Sequence, residues 1–306
     1  MLVCGDVIND VLVETGAAPE FGEDNPAAIQ VRPGGAAANQ AAWLAHFGVR
    51  VVFAGRAGAG DVEFHRRELA RFGVEASLAA DDSAATGAIV VLVGPDGERT
   101  MITDRGANLR LRAADVPLSL LDDAALLHLT GYSFFAPGPR NVALLLREEA
   151  RRRGVPVTID PGSAAFLRML APGEFLDWTR GAAVCFPNLD EAEVLSGSIG
   201  AVGAVGAVGA AGSGGADAAS MASFLAGHYG AVVVTLGAAG ALCATAGDTP
   251  VRVPACPAVV RDTTGAGDAF CAGFLAAWLN GAAFPAATEA GARAGALAVS
   301  VLGGRP

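Results

Sequence analysis

Short apolar runs alternate along the chain with longer segments of helical spacing. MLVCGDV at the start reads as a strand and a turn. Val11–Glu14 and Ala28–Arg32 read as short strands around the polar loop 17–26. PGGAAANQAAWLAHFG is a loop feeding a helix, with Ala42, Leu44, Ala45 and Phe47 on its apolar positions. VRVVFAGRAG (49–58) is a strand running into glycines, and Asp61–Phe72 is a helix that Gly73 ends. Thr86–Val93 and Thr100–Thr103 pair as a hairpin across the turn GPDGER. Strands follow at 125–131, 155–162, 182–188 and 231–237, with helices at Arg140–Arg153, Leu189–Ser196 and near Met221–His228 between them. A hairpin-like pair at 241–253 comes next, and a buried helix starts between Gly265 and Asp268. Strands alternating with helices predict an α/β fold with a mostly parallel sheet covered on both faces. The 86–103 hairpin interrupts that alternation and is expected to stand apart from it.

Composition narrows the function classes. With 306 residues and 52% apolar content the chain can bury a large core. Net charge is -10, and no basic patch is visible, so nucleic acid is not an expected partner. All 21 cationic residues are Arg, which excludes a Walker A lysine and a Schiff-base lysine. Cys4, Cys185, Cys243, Cys256 and Cys271 form no CxxC pair and read as buried thiols in a reducing cytoplasm. No signal peptide is evident, and the apolar run Ala269–Phe284 is shorter than the roughly 20 residues a span needs. It reads as a buried helix, and no membrane partner is expected. SIGAVGAVGAVGAAGSGG (198–215) is low complexity and reads as a surface insertion.

The stretch VVRDTTGAGDAFCAGF (259–274) carries the strongest chemistry. Unpaired N–H groups at a helix start bind anions, and Gly265, Ala266 and Gly267 leave them accessible. Asp268 then serves either as a helix cap or as a base for a hydroxyl attacking phosphorus. The residues alone leave both readings open.

DTTGAGDAFCAGF resembles the C-terminal signature of the ribokinase/PfkB family of sugar and nucleoside kinases. PGGAAANQA (33–41), GRAGAGD (55–61), NLDEAE (188–193) and VVVTLGAAG (232–240) resemble further motifs of that family in the right order. The resemblance covers the whole chain. It implies one ribokinase-like domain over 1–306 with a β lid built from about 11–32 and 86–103. It implies an ATP- and Mg²⁺-dependent kinase, with K⁺ as an activator, acting on a primary hydroxyl of a small sugar or sugar acid. A nucleoside kinase is the rival within the family, and a dinucleotide oxidoreductase and a non-catalytic sugar sensor are rivals outside that chemistry. By the same resemblance Asp268 is the base and Gly265, Ala266 and Gly267 the anion hole. Asn188 and Glu191 organise Mg²⁺, and Asn188, Thr235, Gly237, Gly240 and Gly267 meet the nucleotide. Asp262, Ala298 and Gly303 form a monovalent-cation loop.

On the acceptor side the resemblance assigns Asp10 to a sugar diol, closed round by Gly34, Gly35 and Asn39. Ala36, Ile8 and Thr130 replace a Lys, an Asn and a Glu that ribokinases carry, with Asn9 adjacent to Ile8, and GGAAAN is closer to the fructokinase style. Arg105 stands where 2-keto-3-deoxygluconate kinases meet a sugar acid's carboxylate; a solvated pair with Asp104 is the alternative. Asp160-Pro161 resembles a family element at a strand's end, or is a simple turn. Members of the family are often dimers joined through their lids. Val11/Val13 and Ile89/Val91 are the apolar faces expected to serve that contact.

Overall fold

A computed structural model describes residues 1–94, 99–171, 173–197 and 214–306. The middle of the GPDGER turn and most of the 198–215 insertion lie outside the described residues. From one edge to the other the main sheet runs β13 (Val251–Val253), β12 (Ala241–Thr245), β11 (Ala231–Thr235), β10 (Val184–Cys185), β9 (Val157–Asp160), β8 (Leu127–Thr130), β1 (Leu2–Cys4), β4 (Val52–Gly58) and β5 (Glu75–Asp81). The seven strands from β11 to β5 are parallel, and β12 and β13 close one edge antiparallel. This is the covered parallel sheet that the alternating pattern predicts. Strand β5 is not foreseen by that pattern, because EASLAAD carries little β-branched or aromatic signal.

Each face of the sheet has its own core. Trp43 from α1 (Ala36–His46), Leu69 from α2 (Val62–Ala70) and Phe274 from α8 (Ala266–Leu279) pack on one side, with α9 (Phe284–Ala298). Leu146 from α3 (Pro137–Arg152), Leu195 from α6 (Leu189–Gly197) and Leu225 from α7 (Gly214–Ala226) pack on the other. The expected single helix over Ala269–Phe284 is corrected: α8 stops at Leu279, and Phe284 opens α9. Among the described residues no helix is long and apolar enough to cross a membrane.

The segments expected to form a lid make a separate four-stranded sheet in the order β3 (Ala27–Gly34), β2 (Ile8–Thr15), β6 (Thr86–Val93) and β7 (Arg99–Gly106). Its outer pairs are antiparallel and β2 with β6 is parallel. Side chains alternate between sheet faces, so register decides which residues share one. Val11 pairs with Val31 and Val90, and Val13 with Ile29 and Leu92. Ile89 and Val91 pair with Asp10 and Leu12 on the opposite face. The expected grouping of Val11/Val13 with Ile89/Val91 is therefore corrected.

The lid root is tied to the main sheet by buried polar groups. Asn108 accepts from the Val7 N–H and donates to the Val7 carbonyl, at 3.0 and 2.9 Å. Arg56 reaches Asp81 at 2.8 Å and Asp115 at 2.7 Å, and Arg110 joins Asp81 from outside. The small sheet leaves the main one at the C-terminal ends of β1 and β5, where open α/β sheets place their sites.

Candidate active site

Asp6, Thr130, Asp160, Asn188 and Thr235 mark the C-terminal ends of β1, β8, β9, β10 and β11. The start of α8 meets them from the opposite core. Gly265 caps that helix with φ +73, a left-handed conformation that glycine adopts without strain. A Cβ there would also lie 2.6 Å from the Gly304 α-carbon. The helical ladder begins with the Ala269 N–H on the Gly265 carbonyl, so the N–H groups before it have no intrahelical acceptor. Ala266 gives its N–H to Thr263 at 3.3 Å, a long bond, while Gly267 lines the adjoining cleft.

Asp268 follows in the first turn and is held by two amides. Asn39 donates to one of its oxygens at 3.2 Å and Gln40 to the other at 3.0 Å. Burial raises its pKa well above the ordinary carboxylate value, and Asp160 adds to that. Gln40 also donates to Asp160 from the same nitrogen. Asp160 accepts the Gly162 N–H at 2.9 Å, so it makes the local turn and faces the site as well. Burial holds Asp160 up at about 6.

On the lid side Asp10 leans over Gly34, where a Cβ would come within 2.0 Å of its carboxylate. Gly34 thus forms the floor under Asp10, while Gly35, at φ +96, packs against the Asp6–Val7 backbone as β3 runs straight into α1. Burial raises Asp10 to about 6, against the pull of Arg305. Arg305 is buried and was not foreseen; it donates to the Asn39 amide oxygen at 3.0 Å and to the Gly34 carbonyl at 3.1 Å. Arg105 lies 4.8 Å over the Tyr132 ring, with its Nε buried and unpartnered. Asp104 instead accepts the Gly106 N–H. Asn9 points to the other side of β2 and donates to Asp61 at 3.0 Å. The Thr130 hydroxyl donates to Asp6 at 3.3 Å. Ile8 is buried, and Ala36 opens α1.

On the opposite side a cleft of about 630 Å³ opens beside α8. Thr235, Gly237, Gly240 and Gly267 all line it, and Cys256, Val260 and Phe270 add apolar walls that motif reading does not reach. Asn188 lies at its margin, bridged to Thr235. Asn188 and Glu191 cap α6 reciprocally: each side chain accepts the other's N–H at 2.9 Å. Glu191 is nevertheless buried, and desolvation first, then Asp160, pushes it up to about 8. Asp262 accepts the Thr264 N–H at 2.8 Å and the Gly303 N–H at 3.0 Å. Its own N–H and that of Arg261 reach Val299, next to Ala298. The three residues of the expected cation loop therefore lie together. Among the described residues no group of three or more acids, histidines or cysteines is set to hold a metal unaided.

Known proteins resemble this chain in sequence and in fold. The chain is 28% identical to ribokinase of Arabidopsis thaliana over 318 residues, spanning 100% of this chain and 77% of that protein. The solved structure of Arabidopsis ribokinase with ribose and ATP superposes with a TM-score of 0.76 at 26% identity, covering 99% of this chain and 93% of the other. A fructokinase of Klebsiella pneumoniae is 30% identical over 90% of this chain and 82% of its own length. Adenosine kinase from Sinorhizobium meliloti, at 24% identity, shows the fold alone, with a TM-score of 0.83 over 100% of this chain and 95% of that one. The family model described as pfkB family carbohydrate kinase matches residues 1–306, and the chain belongs to that family of phosphotransferases to alcohol groups.

Proposed function

We propose that this chain transfers the γ-phosphoryl group of ATP to a primary hydroxyl of a small sugar or sugar acid. The observation that carries the reading is Asp268. It is half-buried in the first turn of α8, next to Gly267 at the nucleotide-sized cleft, and Asn39 links it through Arg305 to Gly34 beneath Asp10. A hydroxyl held beside Asp10 gives its proton to Asp268 as its oxygen bonds to the γ-phosphorus, and the bond from phosphorus to the bridging oxygen breaks to leave ADP. The open N–H groups before Ala269 face the charge on the transferring group. Asn39 keeps a second amide hydrogen for the sugar, and Arg105 is placed for an acid substrate's carboxylate.

Glu191 and Asn188 would hold Mg²⁺, because a buried carboxyl that desolvation and Asp160 hold up is an oxygen donor a hard cation relieves, with the Asn188 amide oxygen beside it. When bound, the ion neutralises phosphate charge. Asp262, Ala298 and Gly303 would hold K⁺ among backbone carbonyls. A second copy of the chain would cover the apolar lid face of Val11, Val13, Ile29 and Val31.

The test is ADP release on a panel of sugars, sugar acids and nucleosides, with and without K⁺. Sugar or sugar-acid turnover is expected, and Asp268→Asn should lose at least about 100-fold in kcat. Turnover of nucleosides alone would overturn the acceptor class; an intact biological effect in Asp268→Asn would favour a sensor.

A further inference from the structure

Asp268 is gripped by consecutive residues of α1, and each gripping amide has a partner behind it. Arginine carries donors only, so its bond to Asn39 fixes the amide oxygen toward Arg305 and the nitrogen toward Asp268. The Gln40 amide nitrogen faces two carboxylates, so its oxygen faces the His128 Nε2, 2.6 Å away. That ring nitrogen must then carry the proton, and Nδ1 accepts from the Thr158 hydroxyl at 2.8 Å. One tautomer satisfies every contact. Burial pulls His128 down to about 3, so the ring is neutral. Arg305 is anchored in turn: the Gly303 N–H bonds Asp262, and the Gly304 carbonyl accepts from the Trp43 indole at 2.9 Å.

We propose that Asn39 and Gln40 form an amide clamp on Asp268, locked by Arg305 on one side and by His128 with Thr158 on the other. Arg305, His128 and Thr158 are positioning residues. The inference rests on Asp268 being the base. Free amides could rotate by half a turn and present oxygen to a carboxylate, which repels it. With both amides locked, Asp268 keeps one oxygen lone pair on each side for the substrate hydroxyl and cannot swing toward Asp160. Other groups face Asp268 as well: Asp160 after β9, Asp6 after β1, Tyr132 after β8, Cys271 one turn along α8, and Arg305.

The test compares Arg305→Met, His128→Leu and Thr158→Val with wild type. Each should lower kcat, the first two by about 10- to 100-fold, with the KM for ATP within about twofold. The acid limb of the kcat/KM profile should move to higher pH, since a donor to the ionised carboxylate is lost. Carboxyl-¹³C titration of Asp268, assigned by its loss in Asp268→Asn, reads the same shift without turnover. If wild type phosphorylates no sugar, the proposed function fails and the titration still decides the clamp. Because His128 is neutral, a shift in Arg305→Met alone would mark a simple charge effect and overturn the clamp. So would unchanged titration in all three. Thr158→Val is nearly isosteric and decides the His128 arm should His128→Leu not fold.

Discussion

Glu191 holds a carboxyl group in a place that disfavours its charge. Burial and Asp160 push it up to about 8, whereas an unfolded glutamate titrates near about 4.3. Between those values the folded chain binds more protons than the unfolded one, so stability falls as pH rises. Asp268, raised by burial and Asp160, acts in the same direction. His65 and His128 are pulled down to about 4 and about 3, and they act in the opposite direction only below about 6.5, where an unfolded histidine takes its proton. In the window from 6.5 to 8 the two acids are opposed by the Met1 amino group, which burial holds below its ordinary value, one group against two. The melting temperature of the ligand-free enzyme is expected to fall across that window, with a limiting slope of about 1.4 kcal/mol per pH unit for each extra proton. Glu191→Gln keeps an oxygen for the Asn188 N–H and should flatten the curve. Equal slopes in the two proteins would show that Glu191 is charged throughout.

At the scale of elements the lid strand β2 sorts its residues by parity. Asp10 faces the site with Ile89, while Asn9 and Val11 face away. The tight partner of Asp10 is Gly34, and Gly34→Ala would drive a Cβ into the carboxylate. That variant is expected to raise the KM for the sugar at least about tenfold while leaving the KM for ATP near its original value. A rise in both would mean that β3 and α1 shift together. Asp10, Asn39 and Asp268 were picked out in the sequence by their likeness to family positions, and the structure brings Asn39 and Asp268 within a hydrogen bond of each other. The alternation of strands and helices was legible because its pattern is local. The links behind the base were not: Gln40 meets His128 across 88 residues and Asn39 meets Arg305 across 266. Such pairs exist only once the sheet has assembled. Helix α9 escaped because FPAATEAGARAGALA is so rich in Ala and Gly that its apolar stripe has little contrast.

At the scale of the whole molecule the lid has one face toward the site and one toward solvent. The outer face carries the rows Val31–Val11–Val90–Ile102 and Ile29–Val13–Leu92–Thr100. Ile29, Val31 and Ile102 are 64%, 63% and 58% exposed. A contiguous apolar sheet face in water is costly at about 25 cal/mol per Å², and monomeric proteins seldom keep one. The same strands carry Asp10, so a partner on the outer face would stiffen the inner one. A dimer through this face should therefore show as twice the chain mass in light scattering. Val31→Asp puts a charge in the middle row and should give a monomer with a raised KM for the sugar, because β2 and β3 lose their outer support. The cleft proposed for ATP is lined from α8, α9 and the end of β11, with no residue of the small sheet among them, and the KM for ATP should hold. A monomeric wild type would remove the partner from the argument and leave the outer face to another occupant.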